Sequence, residues 1–378
     1  MDPGATANRV TSAAAAESKA NKPVERTAEE QNVVSIGSAT TLENHLLQGV
    51  SRTFAFSIPE LPIGLRPAVV NGYLLCRIAD TIEDEEALDS GTKSELLEHF
   101  AKVVSGESPA AGFVEALAPR LTSITPAAEH ELVRHTAQVV ASTHGFEDRQ
   151  HKALVRCVRI MCDGMARYGV LGRGDGLADA AALQEYCYIV AGVVGEMLTE
   201  IFCAYSPAIE AEREGLQRTT VSFGQGLQMT NILKDVWEDR ERGFCWLPRA
   251  VFLAHGFDLA DLRPGEAPRG FRAGMNELLA VAHGHLQDSL EYSLLIPARE
   301  RGIRHFCLWN LNMAALTLRK IHANLDYRSG SDVKISRRAV RSTVLCTNLA
   351  TPSDRALRWL FSYCSRGLPP ALHGPAPR

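Results

Sequence analysis

From about Thr40 onward, apolar residues recur at the three- and four-residue spacing of helices, and no run alternates with the two-residue period of a half-buried strand. Proline and glycine punctuate this pattern at element-scale intervals. The breaks fall at Pro59/Pro62/Pro67, Gly106 to Pro109, Pro119 to Pro126, Gly169 to Gly176, Pro207, Gly243 to Pro248 and Pro264 to Gly270. A polar break from Tyr327 to Asp332 precedes two last helices, and the chain is Pro-rich from Gly367. The pattern predicts one all-α domain over residues 39–366, built from about ten or more helices. Residues 1–38 are rich in Ala, Glu, Ser, Thr and Asn with almost no large apolar side chains, so they are expected to form a disordered tail. Residues 367–378 are expected to form a flexible C-terminal tail.

Two polar stripes interrupt otherwise apolar helices. Asp80-Thr-Ile-Glu-Asp84 and Asp235-Val-Trp-Glu-Asp239 both read D-x-x-E-D. On a helix, the paired aspartates of each pentad share a face, about 6 Å apart. Carboxylates held that close repel one another unless a cation lies between them. Hard oxygen donors of this kind suit Mg²⁺, which commonly joins a few carboxylates to phosphate oxygens. Tyr73, Arg77, Asp80 and Asp84 continue the first stripe, and Gln228, Asn231, Asp235 and Asp239 the second. A polar line on a generic helix is usually its solvent face. Here the surrounding circumference is apolar, and an unpaired polar line buried in such a helix would cost several kcal/mol, about 2–7 for each amide or hydroxyl. The stripes are therefore expected to face a shared cavity, with Asp80, Asp84, Asn231, Asp235 and Asp239 as candidate metal ligands.

Two shorter features belong beside them. Tyr186-Cys-Tyr-Ile-Val-Ala-Gly-Val-Val-Gly195 presents Ala191, Gly192 and Gly195 as a small-residue face, either a close helix contact or the wall of an apolar tunnel including Val190. Ser51-Arg-Thr-Phe54 places Arg52 where a guanidinium could meet a phosphate bidentately.

Bulk properties narrow the class. The net charge of −4 shows no basic excess for a nucleic-acid partner. Nine scattered cysteines, without a CxxC pair or a zinc-type Cys/His cluster, read as reduced, mostly buried thiols of a cytoplasmic protein. No transmembrane span is expected, because the longest apolar region, Tyr186 to Tyr205, is interrupted by Glu196, Thr199 and Glu200. No signal peptide is read at the N-terminus.

Taken together, SRTF at 51–54, YLLCRIADTIED at 73–84, YCYIVAGVVG at 186–195 and GLQMTNILKDVWED at 226–239 resemble the squalene/phytoene synthase family of head-to-head prenyltransferases. The resemblance covers about residues 45–365. It implies an all-α, single-domain isoprenoid-synthase bundle with a central cavity. Phe306 to Leu318 and Val333-Lys-Ile335 are more similar to the squalene branch than to the dehydrosqualene and phytoene branch, which shares the condensation but omits the reduction. Two positions depart from the family pattern: Asn310 where a proline is common, and Ser336-Arg337-Arg338 after Val-Lys-Ile. The resemblance does not extend to the C-terminal membrane anchor of eukaryotic members, and none is expected.

What the resemblance implies is a Mg²⁺-dependent enzyme that joins two farnesyl diphosphates and reduces the product with NADPH. It would be a monomer, with contact at the membrane periphery. Arg52 and Arg77 would meet diphosphate, with Ser51, Phe54, Val190, Gly195, Gln228 and Asn231 also at the substrate. Lys334 and Arg337 would bind the reductant, and Tyr186, with Tyr73 nearby, would handle a proton or stabilise a cation. No dinucleotide fingerprint is present, since Gly224-x-Gly226 lacks both the third glycine and a preceding strand. Two other readings are disfavoured. A non-catalytic helical subunit should have lost an aspartate, and a head-to-tail elongase or terpene cyclase carries different acidic patterns.

Overall fold

The computed structural model describes residues 41–51 and 54–373. The expected N-terminal tail, and Arg52, lie outside the described residues. Among these residues there are helices and no strand, only two isolated β-bridges. The first helices are α1 (41–50), α2 (Phe54–Ser57), α3 (Arg66–Asp84), α4 (Ser90–Val104), α5 (Ala110–Leu117) and α6 (Ala127–Arg134). They are followed by α7 (Thr136–Gly145), α8 (Asp148–Leu171), α9 (Ala180–Cys187), a π-turn (Tyr188–Gly192), α10 (Val193–Tyr205) and α11 (Pro207–Glu210). The remainder are α12 (Arg213–Lys234), α13 (Val236–Glu241), α14 (Arg249–Ala254), α15 (Arg269–Leu295), α16 (Arg301–Ala323), α17 (Arg337–Ala350) and α18 (Asp354–Cys364).

The helix ends follow local chemistry. Pro67 opens the first turn of α3, where its missing N–H costs nothing. Asp89, Asp179, Ser336 and Ser353 cap α4, α9, α17 and α18 by accepting a backbone N–H two or three residues into each helix. Ser336, one of the positions departing from the family pattern, thus starts α17. The other, Asn310, is buried within α16 and donates to the Phe306 carbonyl at 2.7 Å and to Ser57 Oγ at 3.3 Å. A proline could not sustain that ladder, and α16 runs unbroken over 23 residues.

The core forms two hydrophobic clusters. One gathers α3, α4, α8 and α10 around Leu74, Ile78, Leu154 and Phe202, and the other gathers α12, α15 and α16 around Ile232, Leu279 and Leu318. Val190 and Leu227 pack against both, marking the seam.

The structure bears on two expectations. The continuous helical stretch Ala180–Tyr205 is, by length and composition, sufficient to cross a membrane, although its acidic residues argued against a span. Most of it is buried against α8 and α12, as a core helix is. The segment from Gly367, expected to be flexible, instead lies along α15 as far as residue 373. The Leu372 N–H donates to the Ala280 carbonyl at 2.9 Å, and His283 Nδ1 contacts the Pro369 carbonyl at 2.8 Å.

Candidate active site

Both pentads line one cavity of about 690 Å³, with Arg77, Gln228, Asn231, Val190 and Tyr186. The first pentad sits on α3, whose opposite side buries Leu74, Leu75, Ile78, Ala79 and Ile82. The second differs from the single helical face expected for it. Helix α12 ends at Lys234, Asp235 stands at the junction with φ −101°, and Asp239 lies in the six-residue α13. The helical spacing survives the break, because the Asp235 N–H donates to the Asn231 carbonyl at 2.8 Å and the Asp239 N–H to the Asp235 carbonyl at 2.9 Å.

Cations of the chain stand among these carboxylates. Arg77 lies 3.5 Å from Asp80 and 3.9 Å from Asp84, and it donates to Glu129 of α6. Arg242 joins the pentads directly, reaching Asp84 at 2.7 Å and Asp239 at 2.6 Å. Lys234 pairs with Asp235 at 2.8 Å. Burial, opposed by Arg77 and reinforced by Asp84, pushes Asp80 up to about 7. Burial and the neighbouring aspartates raise Glu83 to about 8. Burial also lifts Asp239 to about 6, against the pull of Arg242, and raises Asp235. The Asp80 side chain keeps 36% accessibility to the cavity, so cavity water moderates these effects even though the group sits deep in the fold.

This donor set fits a hard divalent cation. Glu83 Oε1 and Glu238 Oε2 are buried without a hydrogen-bond partner, and burial, with help from neighbouring carboxylates, raises Asp80 and Glu83. Among the described residues no three acidic, His or Cys side chains converge into a closed cage. An ion held by one or two carboxylates and completed by phosphate oxygens needs none.

Tyr186 lines the same cavity. Its ring stacks on Trp246 at 3.9 Å and 7°, and Trp246 stacks in turn on Phe244 at 5.5 Å and 13°. Among the described residues its hydroxyl has no hydrogen-bond partner, and burial raises its pKa well above the usual phenol range. Two loops hold this stack in place. The Cys245 N–H donates to the Gly172 carbonyl at 2.8 Å, and the Leu177 N–H to the Leu247 carbonyl at 3.0 Å.

The remaining expected residues divide. Lys334, Arg337, Phe54 and Asn310 line a second cavity of about 470 Å³, which shares Asn231 and Lys234 with the acidic one. Ser51 is buried and its Oγ accepts from the Phe54 and Ala55 N–H groups at 3.0 and 3.2 Å, so its hydroxyl caps α2. Tyr73 lies beside the acidic cavity without lining it; its ring meets Phe54 at 5.5 Å and its hydroxyl donates to the Val50 carbonyl at 3.4 Å. Gly195 stands outside the cavity lining as well. A Cβ there would lie 2.3 Å from the Thr220 carbonyl oxygen, and one at Gly224 would lie 2.0 Å from that of Ala191. The small-residue face is thus a close contact between α10, the π-turn and α12, not a tunnel wall.

Sequence reasoning passed over Glu83, Glu129, Lys234, Glu238, Arg242 and Trp246. Glu83 and Glu238 were legible as the fourth residue of each pentad. Glu129, Arg242 and Trp246 carry no local signal. The loop 327–332, read only as a polar break, closes over the second pentad. The Gly330 N–H donates to Glu238 at 2.8 Å, and a Cβ on Gly330 would lie 2.7 Å from Asp235 Oδ1.

Comparison with known proteins agrees with this geometry. The chain is 30% identical over 286 residues to squalene synthase ERG9 of Candida albicans, covering 74% of this chain and 61% of that protein. It is 29% identical over 319 residues to the squalene synthase of Schizosaccharomyces pombe, covering 83% and 66%. It therefore spans somewhat less than two thirds of the length of these relatives. Among solved structures, TcSQS with a bound ligand shares the fold at a TM-score of 0.66 and 20% identity, covering 88% of this chain and 98% of that one. A dehydrosqualene synthase in complex with a ligand does so at 0.62 and 18%, covering 86% and 98%. The squalene/phytoene synthase family model matches residues 47–339, and this chain belongs to that family.

Proposed function

We propose that this protein is a squalene synthase, condensing two molecules of farnesyl diphosphate head to head and reducing the product with NADPH. The observation that carries the reading is the convergence of both pentads, Gln228, Asn231 and Tyr186 on one cavity. The squalene synthases among its relatives support the same assignment.

Ionisation of an allylic diphosphate is limited by charge building on the leaving group. Asp80, Asp84, Asn231, Asp235 and Asp239 would hold Mg²⁺, which neutralises that charge as a Lewis acid when bound. Arg77 lies on the same face and lends a fixed positive charge to a diphosphate. Gln228 and Asn231 offer amide groups that orient phosphate oxygens. The allylic cation left behind must meet the second farnesyl double bond before water does. Val190, Ile232 and Met165 form an apolar part of the wall, and the Tyr186–Trp246 stack closes it. We assign the Tyr186 hydroxyl, which has no hydrogen-bond partner among the described residues, to relaying the proton lost as the cyclopropyl product, presqualene diphosphate, forms, passing it on to the released diphosphate. The electron-rich ring beneath can stabilise the cation.

Lys334 and Arg337 edge the adjoining cavity and would bind the NADPH phosphates, delivering the reductant beside the shared residues Asn231 and Lys234. We place the enzyme as a monomer in the cytoplasm, working at the membrane periphery where its substrate and product partition.

The test is product analysis with purified protein, Mg²⁺ and farnesyl diphosphate, with and without NADPH. Squalene only with NADPH, and presqualene diphosphate or dehydrosqualene without it, is the expected result. The same unreduced product under both conditions would move the protein to the dehydrosqualene and phytoene branch. No product at all would overturn the substrate assignment.

A further inference from the structure

The hairpin of α17 and α18 carries a charge and apolar pattern that the cavity chemistry does not use. Residues 336–368 contain six arginines and one acidic residue, Asp354, in a protein of net charge −4. Asp354 is neutralised by Arg304 at 2.9 Å, and Arg358 is paired with Glu291. Arg338, Arg355 and Arg366 are exposed and form no ion pair among the described residues.

Four of the twelve large hydrophobic side chains exposed among the described residues also sit here: Leu345 (61%), Leu349 (74%), Trp359 (70%) and Tyr363 (56%). The spacing is the same on both helices. Arg341, Leu345 and Leu349 follow one another at one-turn intervals along α17, as do Arg355, Trp359 and Tyr363 along α18. The Trp359 and Tyr363 rings stack at 6.0 Å and 17°, forming one aromatic plate. The opposite faces are anchored, with Thr343 and Thr347 buried on α17 and Leu357, Leu360 and Phe361 buried on α18. A groove of about 680 Å³ between α16 and the hairpin is lined by Arg319, Cys346, Leu360, Tyr363 and Arg366.

Apolar stripes flanked by arginine, with an exposed Trp–Tyr pair, suit the headgroup boundary of a bilayer. Basic residues add attraction to anionic headgroups. An acidic protein would account for the arginines but leave both apolar stripes unexplained. The hairpin also adjoins the site, because Arg337, Val340 and Arg341 of α17 line the cavity that shares Asn231 and Lys234 with the acidic one.

We propose that the α17–α18 hairpin docks this protein on an anionic phospholipid surface. Leu345, Leu349, Trp359 and Tyr363 enter the headgroup boundary while Arg338, Arg355 and Arg366 meet lipid phosphates. The inference deepens the proposed function by naming the surface through which an amphiphilic substrate and a water-insoluble product are exchanged; the docking itself rests on the hairpin alone.

The experiment is co-sedimentation of the full chain with vesicles of phosphatidylcholine alone or mixed with phosphatidylglycerol, at low and high salt. Wild type should bind the anionic vesicles at least about tenfold more tightly than the neutral ones and lose most of that preference at high salt. Arg338→Gln with Arg355→Gln should weaken binding about 25-fold, from about fivefold (about 1 kcal/mol) for each basic residue. Leu349→Glu with Trp359→Ala should abolish it at either salt. Circular dichroism and turnover in detergent are read on the same samples, where all variants should match wild type. No preference for anionic vesicles, or variants that bind like wild type, would overturn the docking surface. A self-association lost in Leu349→Glu/Trp359→Ala, without vesicle binding, would reassign the face to a second copy of the chain and overturn it too. Vesicle binding without product would leave the docking and remove the proposed function; product without vesicle binding would do the reverse.

Discussion

The two pentads share a spacing and differ in how the fold holds them. Asp80 and Asp84 ride on the uninterrupted 19-residue α3, and Arg77 fastens that stripe to Glu129 of α6. Asp235 and Asp239 straddle the break between α12 and α13, and loop 327–332 closes over them through Gly330. Their counter-ion, Lys234, is a flexible point charge, whereas Arg77 is a planar fork with several partners. One motif thus occurs once on a rigid helix and once at a joint, with Arg242 spanning the gap to Asp84 and Asp239. Two like-charged clusters can face each other because opposite charges, here Arg77, Lys234 and Arg242, stand among them.

The largest effect that could break this pairing is loss of a ligand on either side. Asp80→Asn and Asp235→Asn are each expected to lower turnover about 10²–10³-fold while leaving the circular dichroism of the fold intact. Full activity in one of them would remove that pentad from the site. Gly195→Val should cost about 3 kcal/mol in urea denaturation, because its Cβ would lie 2.3 Å from the Thr220 carbonyl. A stable variant with altered product would restore Gly195 as a cavity residue. Tyr186→Phe should slow the step after ionisation about 100-fold, about 2.7 kcal/mol, with little change in substrate binding. Unchanged single-turnover rates for every step would take Tyr186 out of the chemistry.

A finer comparison comes from pH. Asp80, Glu83 and Asp239 are raised from 3.8, 4.5 and 3.8 to about 7, 8 and 6 in the fold. A raised carboxyl favours folding below its unfolded value, and that contribution is lost as pH rises through the folded value. The metal-free protein should therefore lose stability as pH rises from about 4 to 8, a trend that cavity water tempers. Added Mg²⁺ should raise the melting temperature more at pH 8 than at pH 5.5; an equal rise at both would place the ion elsewhere. The smallest expected effect is that of Arg242→Gln. Removing the bridging guanidinium should cost the metal-free protein about 0.5 kcal/mol, a shift of about 1–2 °C, while lowering the Mg²⁺ concentration needed for half-maximal stabilisation. A higher Mg²⁺ requirement would mean that Arg242 assists the ion instead of competing with it.

The sequence by itself determined the helical class, most breaks and the acidic stripes. Helix periodicity, proline and the D-x-x-E-D spacing are local, and local residues decide them. It left the small-residue face open between close packing and tunnel wall, because a glycine is silent about what approaches it. Only the tertiary structure decided that α12 occupies that side, meeting Gly195 through Thr220 and Ala191 through Gly224. The same holds for Ser51, whose hydroxyl is committed to a helix cap, and for the chain from Gly367, whose polar backbone finds partners on α15. Glu129, Arg242 and Trp246 reach the site from elements distant in sequence, by packing that no local pattern encodes. Helix formation depends on neighbours along the chain, but a cavity wall depends on neighbours in space, and those exist only once the two core clusters have closed around it.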